Sequence, residues 1–150
     1  MGAAMVEGGC PRLWGRDQNA VVNGGLAKAY GLPGFRSGWL GGPEEFSSRT
    51  WAMKDYTTIA PNALGDQVAT FVLESGLRMQ IFERNRTLLR DNLSYLETWI
   101  SQQNGLLNLT PPKAGGMAFM QYDMDINSTE LITRLQQDES VLLVPGDCFG

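Results

Sequence analysis

Histidine is absent from all 150 residues. That removes the commonest metal ligand and the commonest general base near neutral pH. Cysteine is almost absent as well. Cys10 and Cys148 stand far apart, so they build no Cys/His zinc site and describe no disulfide framework. A reducing, cytoplasmic location is the expectation that follows. No apolar run approaches the roughly 18 residues of a membrane span. Met1 to Cys10 has neither the basic start nor the apolar core of a secretory signal, so no membrane partner is expected. Clustered positive charge is missing too. Nine arginines and three lysines are scattered, and a net charge of -4 does not point to a polyanion. Nucleic acid is therefore a poor partner. Chemistry on this chain has to come from lysine, carboxylate, tyrosine or a cofactor.

What is present is ordinary for a globular chain: 43% hydrophobic and 19% charged residues, enough for one modest core or two small packed pieces. Residues 1 to 17, with four glycines and a proline, read as irregular. Ala20-Val21-Val22 reads as a buried strand ended by Asn23-Gly24-Gly25, and Phe35 to Leu40 as a second strand closed by Gly41-Gly42. Pro43 at a first helical position, followed by Glu44 and Glu45, predicts a helix to about Met53. Another helix is expected from Pro61 to about Ser75, stopping at Gly76. A long one follows from Leu77 to Gln103, with Phe82, Leu89, Leu93, Leu96 and Ile100 on one face. Ile81, Leu88 and Trp99 widen that face, and Arg84, Arg86, Arg90 and Glu97 lie off it. Met117 to Met124 reads as a strand, Asn127 with Glu130 as a helix capping box, and Val141 to Val144 as a buried strand. The order predicts an α/β fold with a boundary in the long helix.

One segment carries chemistry. Lys28 sits between Ala27 and Ala29, just after a short strand and glycines, where small neighbours let a large ligand approach the backbone. A sheltered lysine amine there is a nucleophile toward a carbonyl. Arg36 follows a Gly-Leu-Pro-Gly turn that folds it back toward Lys28, and an arginine fork suits a phosphate. On composition alone, a solvated loop lysine and an edge-strand arginine explain the same residues.

Gly25-Leu26-Ala27-Lys28-Ala29-Tyr30-Gly31-Leu32-Pro33-Gly34-Phe35-Arg36-Ser37-Gly38-Trp39 resembles the cofactor-lysine signature of the class I/II aminotransferases of fold type I. The resemblance continues through Asp55 to Pro61, the long helix, Gly115 to Phe119, and Val144-Pro145-Gly146. It implies an α/β fold, the C-terminal part of a fold type I enzyme. Residues 1–76 then belong to the large domain that binds pyridoxal 5'-phosphate, and residues 77–150 to the small domain. Lys28 would hold the cofactor as a Schiff base, Arg36 its phosphate, and Tyr56 is a weaker candidate for a phosphate contact, across a dimer interface. The implied activity is amino-group transfer between an amino acid and a 2-oxo acid by a biosynthetic, cytoplasmic homodimer. Other cofactor-dependent reactions of amino acids, such as β-elimination or cyclisation, and a non-catalytic remnant stay open.

Departures from the family pattern carry consequences. Gly25 and Ala27 stand where many members have serines, and Ser37 stands where an aliphatic residue or alanine is usual. The resemblance therefore implies that Arg36 bears a larger share of phosphate binding here. The family's ring-contacting residues precede the lysine by more than the 27 residues present, and its substrate-carboxylate arginine lies beyond Gly150. The 150-residue chain alone is thus expected to lack turnover.

Overall fold

The structure is a computed structural model and describes residues 17–150. Cys10 and most of the irregular stretch at residues 1 to 17 lie outside the described residues.

Strand β1 (Val22–Gly25) pairs antiparallel with β2 (Gly38–Gly41), Val22 opposite Gly41 and Gly25 opposite Gly38. Both strands are displaced from the expected positions: Ala20 and Val21 precede β1, and Phe35 belongs to a 3-10 turn over Pro33–Phe35. The cause is close approach. A Cβ on Gly24 would fall on the Trp39 indole, and one on Gly38 would lie 2.8 Å from the Gly24 carbonyl oxygen. These glycines are therefore paired residues of the strands and not stops that follow them, since a side chain at Gly24 or Gly38 would collide with Trp39 or with the facing backbone.

Helix α1 (Glu44–Lys54) starts one residue later than expected, with Pro43 as its N-cap. Asn62 caps α2 (Ala63–Leu73), accepting from the Leu64 N–H at 3.1 Å. The chain breaks at Glu74, in an extended conformation (ψ 137°), and not at Gly76, which lies in the first turn of α3 (Ser75–Ser101). Phe82 is buried, and Leu89, Leu93, Leu96 and Ile100 are half-buried, so the long face is where periodicity put it. Leu88 and Trp99, expected to widen it, are 54% and 41% exposed.

Strand β3 (Leu107–Leu109) pairs antiparallel with β4 (Met120–Tyr122). Three residues between Gly105 and Thr110 give no readable period, so β3 was not expected, and β4 occupies only the middle of the predicted Met117–Met124 strand. Asn127 caps α4 (Ser128–Glu139), accepting from the Glu130 N–H at 2.8 Å. The Glu130 carboxylate does not reach back to the cap but pairs with Arg134. Val141 to Val144 is not a strand: among the described residues nothing pairs with it, and all four residues are exposed. A 3-10 turn, Gly146–Phe149, follows.

The chain divides into two compact units. One is the described chain to Glu97 with Pro111–Ala118, and the other is Thr98–Thr110 with Phe119–Gly150. In the first, Leu26 (0% exposed), Val72 (6%) and Phe82 (7%) are the buried apolar residues described. No helix of the described residues is long and apolar enough to cross a membrane.

In the second unit, Asp147 ties the last turn to α4. Its carboxylate accepts from the Thr129 hydroxyl at 2.9 Å and the Thr129 N–H at 3.3 Å, while its own N–H donates to Ser128 Oγ at 3.0 Å. The Ser128 and then the Thr129 side chain hold its carboxyl below the ordinary aspartate value. A lowered folded value means stabilisation that is present above the unfolded value, about 3.9, and lost as pH falls through the folded one. Protection of the Thr129 amide, its exchange taken relative to the unstructured rate at the same pH, is expected to fall on acidification below that range. In Asp147→Asn that protection should be low and independent of pH; equal pH dependence in both proteins refutes the link.

Candidate active site

Three backbone hydrogen bonds shape the lysine loop. The Leu26 N–H donates to the Ser37 carbonyl at 3.0 Å and closes the loop at its base. The Leu32 N–H donates to Leu26 at 3.0 Å, and the Gly31 N–H to Lys28 at 3.0 Å. Lys28 and Arg36 therefore stand on one closed loop. Lys28 itself is exposed, not sheltered. Leu26 before it takes the buried position and Tyr30 after it a half-buried one, so the lysine between them turns outward. Among the described residues its amine has no partner.

Arg36 adopts a left-handed backbone (φ 50°, ψ 32°), uncommon for a residue with a side chain. Its Nη1 donates to the Pro33 carbonyl at 3.3 Å, and the side chain is otherwise exposed. Ser37 contributes no free hydroxyl, because its Oγ donates to the Phe35 carbonyl at 3.2 Å. Tyr56 follows α1 and is 87% exposed; no described contact brings it to the loop.

Sequence reading missed what holds the loop from behind. Helix α3 presents Phe82 to the Tyr30 ring (centroids 5.0 Å apart) and Asn85 to the Ala29 carbonyl, with Nδ2–H donating at 2.9 Å. Trp39 also meets Tyr30, edge-on at 6.4 Å. Burial pushes the Tyr30 phenol up, and nearby Arg78 partly opposes it. A signal for Asn85 exists in the sequence: the apolar face of α3 skips from Phe82 to Leu89, and Asn85 stands in that gap.

Helix α2 supports the loop through Gly65, which is buried. A Cβ there would fall on Ser37 Oγ and 2.9 Å from the Phe35 carbonyl. Gly65→Ala is expected to destabilise the protein by about 1–3 kcal/mol, the cost of overpacking. Adding Ser37→Ala should recover only part, because the carbonyl stays. A urea midpoint unchanged in Gly65→Ala refutes the contact.

Lysine and arginine on one loop, closed by the strand pair and backed by two helices, coincide with a family pattern. The sequence profile of aminotransferase class I and II matches residues 3–150. The chain belongs to that family. Its α/β fold is that of the fold type I enzymes. The structure is similar to a PLP-dependent aminotransferase of Streptococcus suis, with a TM-score of 0.88 and 29% identity, covering 97% of this chain and 38% of that one. It is also similar to a PLP-dependent cyclase, OrfR, with a TM-score of 0.76 and 29% identity over 87% of this chain and 35% of that one. In sequence it is 32% identical over 136 residues to capreomycidine synthase of Streptomyces vinaceus, covering 90% of this chain and 34% of that protein. The chain thus spans about a third of the length of these relatives.

Family membership implies pyridoxal 5'-phosphate as cofactor, and the donor set suits it. A primary amine matches a carbonyl and a guanidinium matches a phosphate. Both are exposed on the one loop. A depression in the second unit, lined by Leu106, Asn108, Gln121 and Tyr122 among others, offers neither group.

Proposed function

We propose that Lys28 holds pyridoxal 5'-phosphate covalently, and that the full-length protein transfers amino groups between an amino acid and a 2-oxo acid. The observation that carries this reading is the closed loop bearing both Lys28 and Arg36, joined at its base by the Leu26–Ser37 hydrogen bond. Arg36 binds the phosphate through paired donors. Lys28 would hold the cofactor through its amine, and that amine would serve to move the proton at the substrate Cα. The bound cofactor supplies electron withdrawal that makes the Cα proton removable. Tyr56, which projects from the end of α1, is a further phosphate contact for a second copy in a homodimer. The division of function at residue 76 between cofactor-binding and small domains belongs to this same proposal.

A second reading has specific support. Capreomycidine synthase and the cyclase OrfR are similar to this chain, and a ring-forming reaction would use the same lysine for the same proton. A panel of amino acids, assayed with and without a 2-oxo acid acceptor, separates the two. Product that depends on acceptor consumption supports transamination. Product formed without acceptor favours cyclisation or β-elimination, and no turnover with any amino acid overturns both.

A further inference from the structure

We propose that Asn85 is a positioning residue for Lys28, acting through the backbone of Ala29. This inference rests on the cofactor reading above. Asn85 lies on the inner face of α3, three residues beyond Phe82, and its Nδ2–H donates at 2.9 Å to the carbonyl one residue past Lys28. The bond is part-buried and joins positions 56 residues apart, so it is a tertiary tie and not a turn. Lys28 is exposed and its amine has no described partner, so its side chain does nothing to fix its own place. The backbone beneath it must do so. Two groups on α3 grip that backbone just after the lysine: Asn85 at Ala29, and the Phe82 ring at Tyr30, 5.0 Å between centroids.

The Asn85 amide also lies against Gly31, whose φ of +68° favours glycine and whose Cβ position is 3.7 Å from Asn85 Nδ2, an ordinary packing distance. A part-buried polar residue on the face of α3 between Phe82 and Leu89 costs desolvation unless its donor is used. Here the donor goes to the lysine loop. A reacting amine needs its carrier backbone held to within a fraction of an ångström of productive geometry, and supporting hydrogen bonds supply that.

The test uses the cofactor-loaded full-length protein and the variants Asn85→Asp and Asn85→Ala. Asn85→Asp keeps the shape and removes the donor. Asn85→Gln keeps the donor and serves as the conservative variant. The readouts are visible circular dichroism per bound pyridoxal 5'-phosphate, which reports how rigidly the chromophore is oriented, and hydrogen exchange at the Gly31 amide. Without the bond, the Gly31 amide is expected to exchange about fivefold faster, the equivalent of one net hydrogen bond. The visible dichroism should fall while thermal unfolding of the cofactor-free protein moves little, and Asn85→Gln should restore part of both signals. If Asn85→Asp will not fold, Asn85→Gln against wild type carries the comparison: a wild-type dichroism with an unprotected Gly31 amide in both proteins overturns the inference. Unchanged dichroism and exchange in Asn85→Asp or Asn85→Ala also overturn it. A wild-type protein that gains no visible absorbance on adding the cofactor overturns the cofactor reading itself, and this inference with it, so the two failures are told apart.

Discussion

Lys28→Ala is expected to abolish the visible absorbance that pyridoxal 5'-phosphate gives on a lysine, and to reduce turnover about a hundred- to ten-thousand-fold. That range is the usual contribution of a positioned proton-transfer group. Three lysines compete for the role, and the structure separates them. Lys54 lies in the last turn of α1, where its Nζ donates to Thr58 Oγ1 at 2.8 Å. Lys113 follows Pro111-Pro112 on a segment with no arginine. Only Lys28 shares a closed loop with one, Arg36. Borohydride reduction of the loaded wild type, followed by peptide mapping, should put the pyridoxyl group on Lys28. A label on Lys54 or Lys113 would sink the assignment.

Arg36→Ala should raise the dissociation constant for pyridoxal 5'-phosphate by an amount equivalent to about 2–5 kcal/mol where binding shelters the pair from water, since the side chain without cofactor is exposed. The large value is expected because the neighbouring donors are missing: Gly25 and Ala27 have no hydroxyl, and that of Ser37 is engaged by Phe35. The left-handed backbone at Arg36 gives a control. Glycine is at home at φ 50°, so Arg36→Gly removes the guanidinium while relieving backbone strain. It should bind the cofactor as poorly as Arg36→Ala, yet unfold at the same or a higher urea concentration than wild type. Arg36→Lys should fall between, since an ammonium is a point charge without the paired fork. An unchanged dissociation constant in Arg36→Ala would rule this out.

The surface pattern gives these readings a physical setting. Trp51, Tyr56 and Met117 are 71%, 87% and 82% exposed, while the buried apolar residues described are Leu26, Val72 and Phe82. So small a core contributes little net stability against the conformational entropy of the chain. Measurements on the full-length protein are for that reason the ones that report on the loop.

The sequence by itself determined the short segment that holds Lys28 and Arg36, the long helix and its half-buried face, and the Asn127 cap. Each of these is local. A helix face repeats within one element, a cap bonds within a turn, and Lys28 and Arg36 lie on a single short segment. It did not determine which residues of that segment would be strand. β1 and β2 are set by where two glycine-rich backbones come close enough to bond, and the Val141–Val144 run has β propensity but no strand beside it among the described residues. Nor did it determine the exposure of Lys28, since burial of Leu26 and Tyr30 on either side turns the lysine outward. The tie from Asn85 to Ala29 was decided by tertiary structure alone. The gap in the apolar face of α3 marks Asn85, but its partner is fixed only when α3 packs against the lysine loop and brings the Ala29 carbonyl within reach.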